Sequence, residues 1–261
     1  MDATNVRTGY DSAELWCDND GKRIYGVAYV PGADGPFPLV IFAHELGNTN
    51  NSGKKYAERL ASEGIAVYAF DFCGGSPDSR SDGKTTEMSV MTEVSDLEAV
   101  LETSKTWSFA DQARIVLMGG SQGGTVSAIT AARHRDEVAG LVLLYPVFAI
   151  SDEMHALFSS PEDVPEQTNL LGLIMVGRNY MTDFWDYDVY SEIGNFTKPV
   201  LILQGDSDHV VSLPYTERAV SVYRDARLFV LPGAGHGFNG DSLDEAMERI
   251  FTYLRENGIL I

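Results

Sequence analysis

A serine framed by glycines, Gly119-Gly120-Ser121-Gln122-Gly123, is the first group in this chain that could do covalent chemistry. It follows the apolar β-type run Arg114-Ile115-Val116-Leu117-Met118 and opens a helix-like stretch over residues 125–133. A serine in the pattern G-x-S-x-G at such a strand-to-helix turn is held in strained backbone geometry, with Oγ clear of the sheet edge. Gly119 and Gly123 stand where larger side chains would collide with the adjacent strand and helix. The chemistry indicated is attack by an alcohol, which at neutral pH needs a base.

Five histidines are available. His236 lies in Pro232-Gly233-Ala234-Gly235-His236-Gly237-Phe238, a glycine-rich loop after the last apolar strand, where a base can reach the serine. His134, among Arg133, Arg135 and Asp136, reads as solvated, while His155 lies in a mid-chain insertion and His209 adjoins an acidic loop. His44 ends a buried strand and reads as a structural, backbone-bonded histidine. His236 is therefore the base. Its other nitrogen needs a carboxylate to fix the tautomer and stabilise the imidazolium. The stretch Gly205-Asp206-Ser207-Asp208-His209-Val210-Val211 supplies two candidates, Asp206 and Asp208.

Positioning these groups requires a scaffold, and the chain alternates strand and helix patterns. Residues 12–30 read as a hairpin turning at Asn19-Asp20-Gly21. The run Leu39-Val40-Ile41-Phe42-Ala43 is apolar throughout, as a strand buried on both faces must be. Then come helix 57–63, strand 65–70, a loop over 71–87, helix 90–104, strand 115–118, the helix after Ser121 and strand 140–144. The series ends with strand 200–204, helix 213–223, strand 227–231 and helix 243–257. Such repetition predicts an α/β fold: a mostly parallel sheet with helices on both faces. Residues 147–197 break the rhythm, with more chain than a βα connection of about 2–6 residues requires. They include Met154, Phe158, Met175, Tyr180, Met181, Phe184, Trp185, Tyr187 and Tyr190. They leave the carboxyl end of a strand, where open α/β sheets place ligand sites. The segment is expected to form a small cap, and its aromatics to close part of the core. The division is thus a single core from 1–146 and 198–261, with 147–197 inserted.

A length of 261 residues suits one such core. Acidic residues number 38 against 19 basic, a formal net charge of −19, and no Lys/Arg cluster reverses it locally. That surface repels nucleic acid and anionic membranes. No apolar run approaches the roughly 20 residues of a membrane span. The opening Met1-Asp2-Ala3-Thr4-Asn5 lacks a signal-peptide pattern, which gives a cytoplasmic expectation, although a trimmed leader would leave the same appearance. Cys17 and Cys73 are too few for a disulfide framework and are read as thiols. No metal spacing appears: His44-Glu45 would need histidine at 48 for H-E-x-x-H, and Asn48 is there. A homodimer is compatible with the composition.

The order Ser, Asp, His along the chain is that of α/β hydrolases, which the sequence resembles over nearly its whole length. Within that superfamily it is most similar to cinnamoyl and feruloyl esterase-like serine hydrolases. The matching segments are the turn from His44 to Asn48, Phe70-Asp71-Phe72 with its glycine-serine loop, Thr86-Glu87-Met88-Ser89, the serine turn, Phe196-Thr197-Lys198-Pro199 and Gly205 to Val211. The resemblance implies Asp208 as the carboxylate, with Asp206 as a turn residue, and the backbone N–H groups of Gln122 and Leu46 as the oxyanion hole. One departure is Glu45, where relatives usually have glycine; a carboxylate there must find a donor rather than face the oxyanion. Alignment back from Phe196 implies Tyr180 as a ring-contacting tyrosine, with packing as its other reading, and puts a polar contact near Asp152 and Glu153. The resemblance further implies hydrolysis of a small-molecule ester without a cofactor. A peptidase or acyl-aminoacyl hydrolase on the same three residues, and a non-catalytic binding protein of this fold, are the rival expectations.

Overall fold

In the computed structural model, which describes residues 9–261, the chain opens with β1 (Tyr10–Asn19) and β2 (Lys22–Pro31). They pair antiparallel around Asp20 and Gly21, both at positive φ (50° and 83°), the geometry of a tight two-residue hairpin turn. The stretch from Met1 to Asn5 discussed above lies outside the described residues. The chain continues through β3 (Phe37–Ala43), α1 (Lys54–Ser62), β4 (Ala66–Phe70), α2 (Val90–Ser104), β5 (Ala110–Gly120), α3 (Gln122–Arg133) and β6 (Gly140–Leu144). After β6 come α4 (Ile150–Leu157), β7 (Gln167–Leu170), β8 (Ile174–Gly177), α5 (Arg178–Thr182) and α6 (Val189–Ile193). The last elements are β9 (Val200–Gly205), α7 (Leu213–Val222), β10 (Ala226–Leu231) and α8 (Asp241–Glu256).

Eight strands form one sheet in the order β1-β2-β4-β3-β5-β6-β9-β10, parallel from β4 to β10. Period-two alternation explains why β3 carries no polar residue. Leu39, Ile41 and Ala43 join the apolar layer under Leu97 and Val100 of α2 and Val126 and Ile129 of α3. Val40 and Phe42 face the opposite layer, with Tyr56 and Leu60 of α1 and Ala246 and Ile250 of α8. Burying each such side chain contributes about 1.5–3 kcal/mol, so the two layers hold the parallel sheet between them.

The segment between β6 and β9 has no core of its own. Its Phe148, Met154, Ile174, Val176, Tyr180, Met181 and Phe184 belong to the same apolar cluster as α2 and α3. Polar ties fix it further: Ser89, which caps α2 in a reciprocal box with Thr92, donates its hydroxyl to Asp183 (2.8 Å). Thr85 Oγ1 donates to the Met175 carbonyl (2.6 Å). Among the described residues no helix is long and apolar enough to cross a membrane.

Candidate active site

Ser121 stands between the end of β5 and the start of α3 with φ 52° and ψ −121°, a conformation that costs a non-glycine residue of order 1–3 kcal/mol. Close approach enforces it. A Cβ on Gly123 would lie 2.3 Å from the Ala43 carbonyl oxygen and 2.4 Å from that of His44, and one on Gly119 would lie 2.2 Å from the Gly123 oxygen. The turn is secured by Ser121 N–H donating to Leu144 O (2.9 Å) and Val147 N–H donating to Ser121 O (3.2 Å).

His236 follows β10 and meets that serine: Ser121 Oγ donates to Nε2 at 3.0 Å. Nδ1 donates to Asp208 Oδ2 at 2.9 Å, which puts the ring proton on Nδ1 and leaves Nε2 as acceptor. The Asp208 side chain is fully buried at the end of β9. Its Oδ1 accepts from the N–H groups of Val210 (2.8 Å) and Val211 (2.9 Å), and its Oδ2 also accepts from Gln204 Nε2 (3.1 Å). Asp206 is occupied elsewhere, accepting from Gly233 N–H (2.7 Å) and the Ser207 hydroxyl (3.0 Å) to tie the β9 and β10 loops together. The structure thus brings together Ser121, His236 and Asp208 from three separate strand ends, and leaves Asp206 in a turn.

Neither the Leu46 nor the Gln122 N–H donates to an acceptor among the described residues. The two segments that carry them meet where Gly123 packs on the end of β3. Glu45 has the donors expected of it: Tyr145 Oη donates to its Oε1 (2.9 Å) and Asn48 Nδ2 to its Oε2 (3.4 Å). Tyr180 is buried, and its hydroxyl donates to Gln122 Oε1 (2.5 Å), so its proton is already committed within the protein. Burial raises the Tyr180 phenol, with Glu93 and Glu153 adding to it. Asp152 accepts from Tyr215 Oη (3.0 Å), and burial beside Asp152 raises the Glu153 carboxyl.

The remaining histidines lie outside this group. His44 is buried, with Nδ1 donating to Glu45 O (2.8 Å) and Nε2 accepting from Phe72 N–H (3.1 Å); burial lowers its pKa, as a structural neutral ring requires. His155 stacks obliquely on Trp185 at 4.6 Å. His134, read from sequence as solvated, instead sits half-buried between Glu137 and Glu98, which the helix end brings beside it.

Several supports were not visible in the chain. Gln204 is fully buried and links Asp208, the Val211 carbonyl and the Thr216 hydroxyl. A glutamine closing an otherwise apolar strand was its only signal. Tyr145, at φ 39°, sets its ring edge-on to His236 at 4.8 Å. Lys55 Nζ donates to Phe238 O (2.6 Å), anchoring the His236 loop to α1. An alcohol, an imidazole and a buried carboxylate in this order can generate an alkoxide-like nucleophile.

Comparison with known proteins agrees with this architecture. Est1E of Butyrivibrio proteoclasticus, in its structure with ferulic acid, superimposes with a TM-score of 0.85 at 24% identity, over 93% of this chain and 98% of that one. An esterase of Pyrococcus furiosus superimposes with a TM-score of 0.70 at 22% identity, over 97% and 92% of the two chains. The protein Rv2307c of Mycobacterium tuberculosis is 25% identical over 240 residues, covering 89% of this chain and 76% of that protein. Residues 34–176 match the family described as serine aminopeptidase, S33, more than half of the chain and including Ser121. The chain belongs to this S33 family and has the α/β-hydrolase fold.

Proposed function

We propose that the chain is a serine carboxylic-ester hydrolase that works through an acyl-enzyme on hydroxycinnamates or other small aryl or alkyl esters. The observation that carries the reading is the unbroken run of hydrogen bonds from Ser121 Oγ to His236 (3.0 Å) and from His236 to Asp208 (2.9 Å). Ser121 Oγ attacks the acyl carbon as its proton passes to His236 Nε2. The N–H groups of Gln122 and Leu46 receive the oxyanion, each such donor contributing roughly 10²–10³ in rate. Asp208 stabilises the imidazolium, and collapse of the intermediate breaks the bond to the leaving oxygen as His236 returns the proton to it. Water then attacks the acyl-Ser121 carbon with His236 again as base, releasing the acid and the free serine. No cofactor enters these steps, and we read the site of action as cytoplasmic.

Residues 147–197 act in this reading as a cap whose aromatics receive a flat acyl group. An aromatic contact adds roughly 0.5–1.5 kcal/mol beyond apolar burial. Because the Tyr180 hydroxyl donates its hydrogen bond to Gln122 Oε1, its oxygen retains a lone pair that can accept from a phenolic hydroxyl on the substrate. The ferulic acid held by the similarly folded Est1E supports this choice of substrate class. Methyl ferulate or caffeate is expected to give a higher kcat/KM than p-nitrophenyl acetate after correction for leaving-group reactivity. Turnover confined to acetyl and butyryl esters would reduce the reading to a general small-ester hydrolase.

The family description favours a second reading, hydrolysis of an amide at a peptide N-terminus by the same three residues. A panel of p-nitrophenyl esters against peptide p-nitroanilides separates the two. Preference for the anilides would overturn the ester assignment.

A further inference from the structure

Glu93 lies on the inner side of α2, 1% exposed, and no lysine or arginine among the described residues pairs with it. Its Oε2 accepts from Gln122 Nε2 at 2.8 Å, while its Oε1 has no partner among the described residues. Gln122 in turn accepts the Tyr180 hydroxyl (2.5 Å), and both of these side chains are also buried. Glu93, Gln122 and Tyr180 therefore form one chain of hydrogen bonds from α2, through the residue after Ser121, to α5 of the inserted segment. The other end of the Glu93 carboxyl adjoins Gly75, where a Cβ would lie 3.4 Å from Oε1 and 3.1 Å from His44 Cε1. The Gly75 carbonyl accepts from Gly47 N–H (3.2 Å), one residue beyond Leu46. One buried carboxyl thus stands behind both N–H groups assigned to the oxyanion.

We propose that Glu93 is a positioning residue for the oxyanion hole, acting as a neutral acid that clamps the Gln122 side chain and buttresses the loop leading from Leu46. Through Tyr180 the same clamp ties the alignment of the hole to the seating of the inserted segment. The inference rests on the reading of Ser121 as nucleophile with Gln122 and Leu46 as its donors.

A group at this point must offer an acceptor to Gln122 Nε2, because an unpartnered buried amide would release the side chain that holds the N–H in place. It must also carry no charge, since an anion behind the hole would oppose the one forming in it. Burial, with Asp96 adding to it, pushes the Glu93 carboxyl up to about 8, which keeps it protonated at neutral pH. The titratable groups around it are Asp96 on its own helix, His44 at the end of β3 and Tyr180 on α5. None of them is a cation, so ionisation of Glu93 would go uncompensated.

The test compares pH profiles of kcat for the full chain, Glu93→Gln and Glu93→Ala, with folding followed by circular dichroism. The parent is expected to lose kcat as pH rises through about 8. Glu93→Gln keeps an acceptor and cannot ionise, so its kcat should hold on the alkaline side. Glu93→Ala should lose kcat by roughly 10–100-fold with KM changed less than about threefold, and Glu93→Gln should recover most of that loss. An alkaline limb in Glu93→Gln identical to the parent's, or a folded Glu93→Ala with parental kcat, would overturn the proposal. If Glu93→Ala does not fold, the profile of Glu93→Gln decides alone. A Ser121→Ala control separates the layers. Turnover surviving in that control removes the catalytic reading itself. An inactive control beside an unchanged Glu93→Gln limb removes only the role given to Glu93.

Discussion

Asp206 and Asp208 are two positions apart, and the residues alone left both as partners for His236. What separates them is the path of the loop after β9. It buries Asp208 under the N–H groups of Val210 and Val211 and under Gln204, and turns Asp206 toward Gly233. These contacts are made across sequence distance, so no local pattern reveals them. Asp208→Asn should cut kcat by roughly 10³–10⁴-fold, because the amide favours the wrong imidazole tautomer. Asp206→Asn should cost less than about tenfold. Steady-state kinetics of the pair check the assignment, and the reverse ranking would refute it. Under the proposed function, Tyr180 bears on substrate choice. Tyr180→Phe removes the oxygen proposed to accept from a phenolic substrate, so on that reading the preference for hydroxylated over plain cinnamate esters should shrink by roughly 1–3 kcal/mol in kcat/KM terms. Since Tyr180 also bonds Gln122, the informative readout is the ratio between the two esters, not the absolute rate. An unchanged ratio would make the ring mere packing.

Among the elements, α2 reads identically in sequence and structure because its start is marked by the Ser89 cap and its apolar face is regular. By contrast α3 begins at Gln122, three residues before the helical pattern suggests. Gly123 and Gly124 are poor helix formers, and tertiary packing against β3 overrides their propensity. The β7–β8 hairpin was not legible either. Its strands are four residues each, too short for alternation to declare itself, and its turn uses Leu171 at φ 54° beside Gly172. The contact of α3 with β3 leaves no room for a side chain at Gly123. Gly123→Ala would press a methyl into the carbonyls of Ala43 and His44 at 2.3 and 2.4 Å. It is expected to cost about 1–3 kcal/mol or more, read as a lower urea midpoint, together with loss of activity. A neutral effect on both would show that the turn has room the geometry denies.

For the molecule as a whole, the sequence disclosed the layering of the sheet, since apolar β3 must be covered on both faces. It did not disclose the buried polar network behind the serine, whose members are scattered over α2, α3 and α5. That network has a thermodynamic signature. The Glu93 carboxyl is raised in the folded state from 4.5 to about 8, so the stability it leaves intact below about pH 4.5 is lost progressively as pH rises through 8. Full ionisation would cost on the order of 5 kcal/mol before relaxation. Tm should accordingly decline from about pH 5 to 9, and Glu93→Gln should flatten that decline. Parallel slopes in the two proteins would contradict the neutral-acid assignment.

The central claim, that Ser121 is the nucleophile of this α/β hydrolase, is tested most directly by peptide mapping after exposure to a fluorophosphonate. The account predicts a single covalent adduct on Ser121, formed at a rate that falls when His236 is replaced by alanine. An unlabelled Ser121 in folded protein, or an adduct confined to another residue, would contradict it.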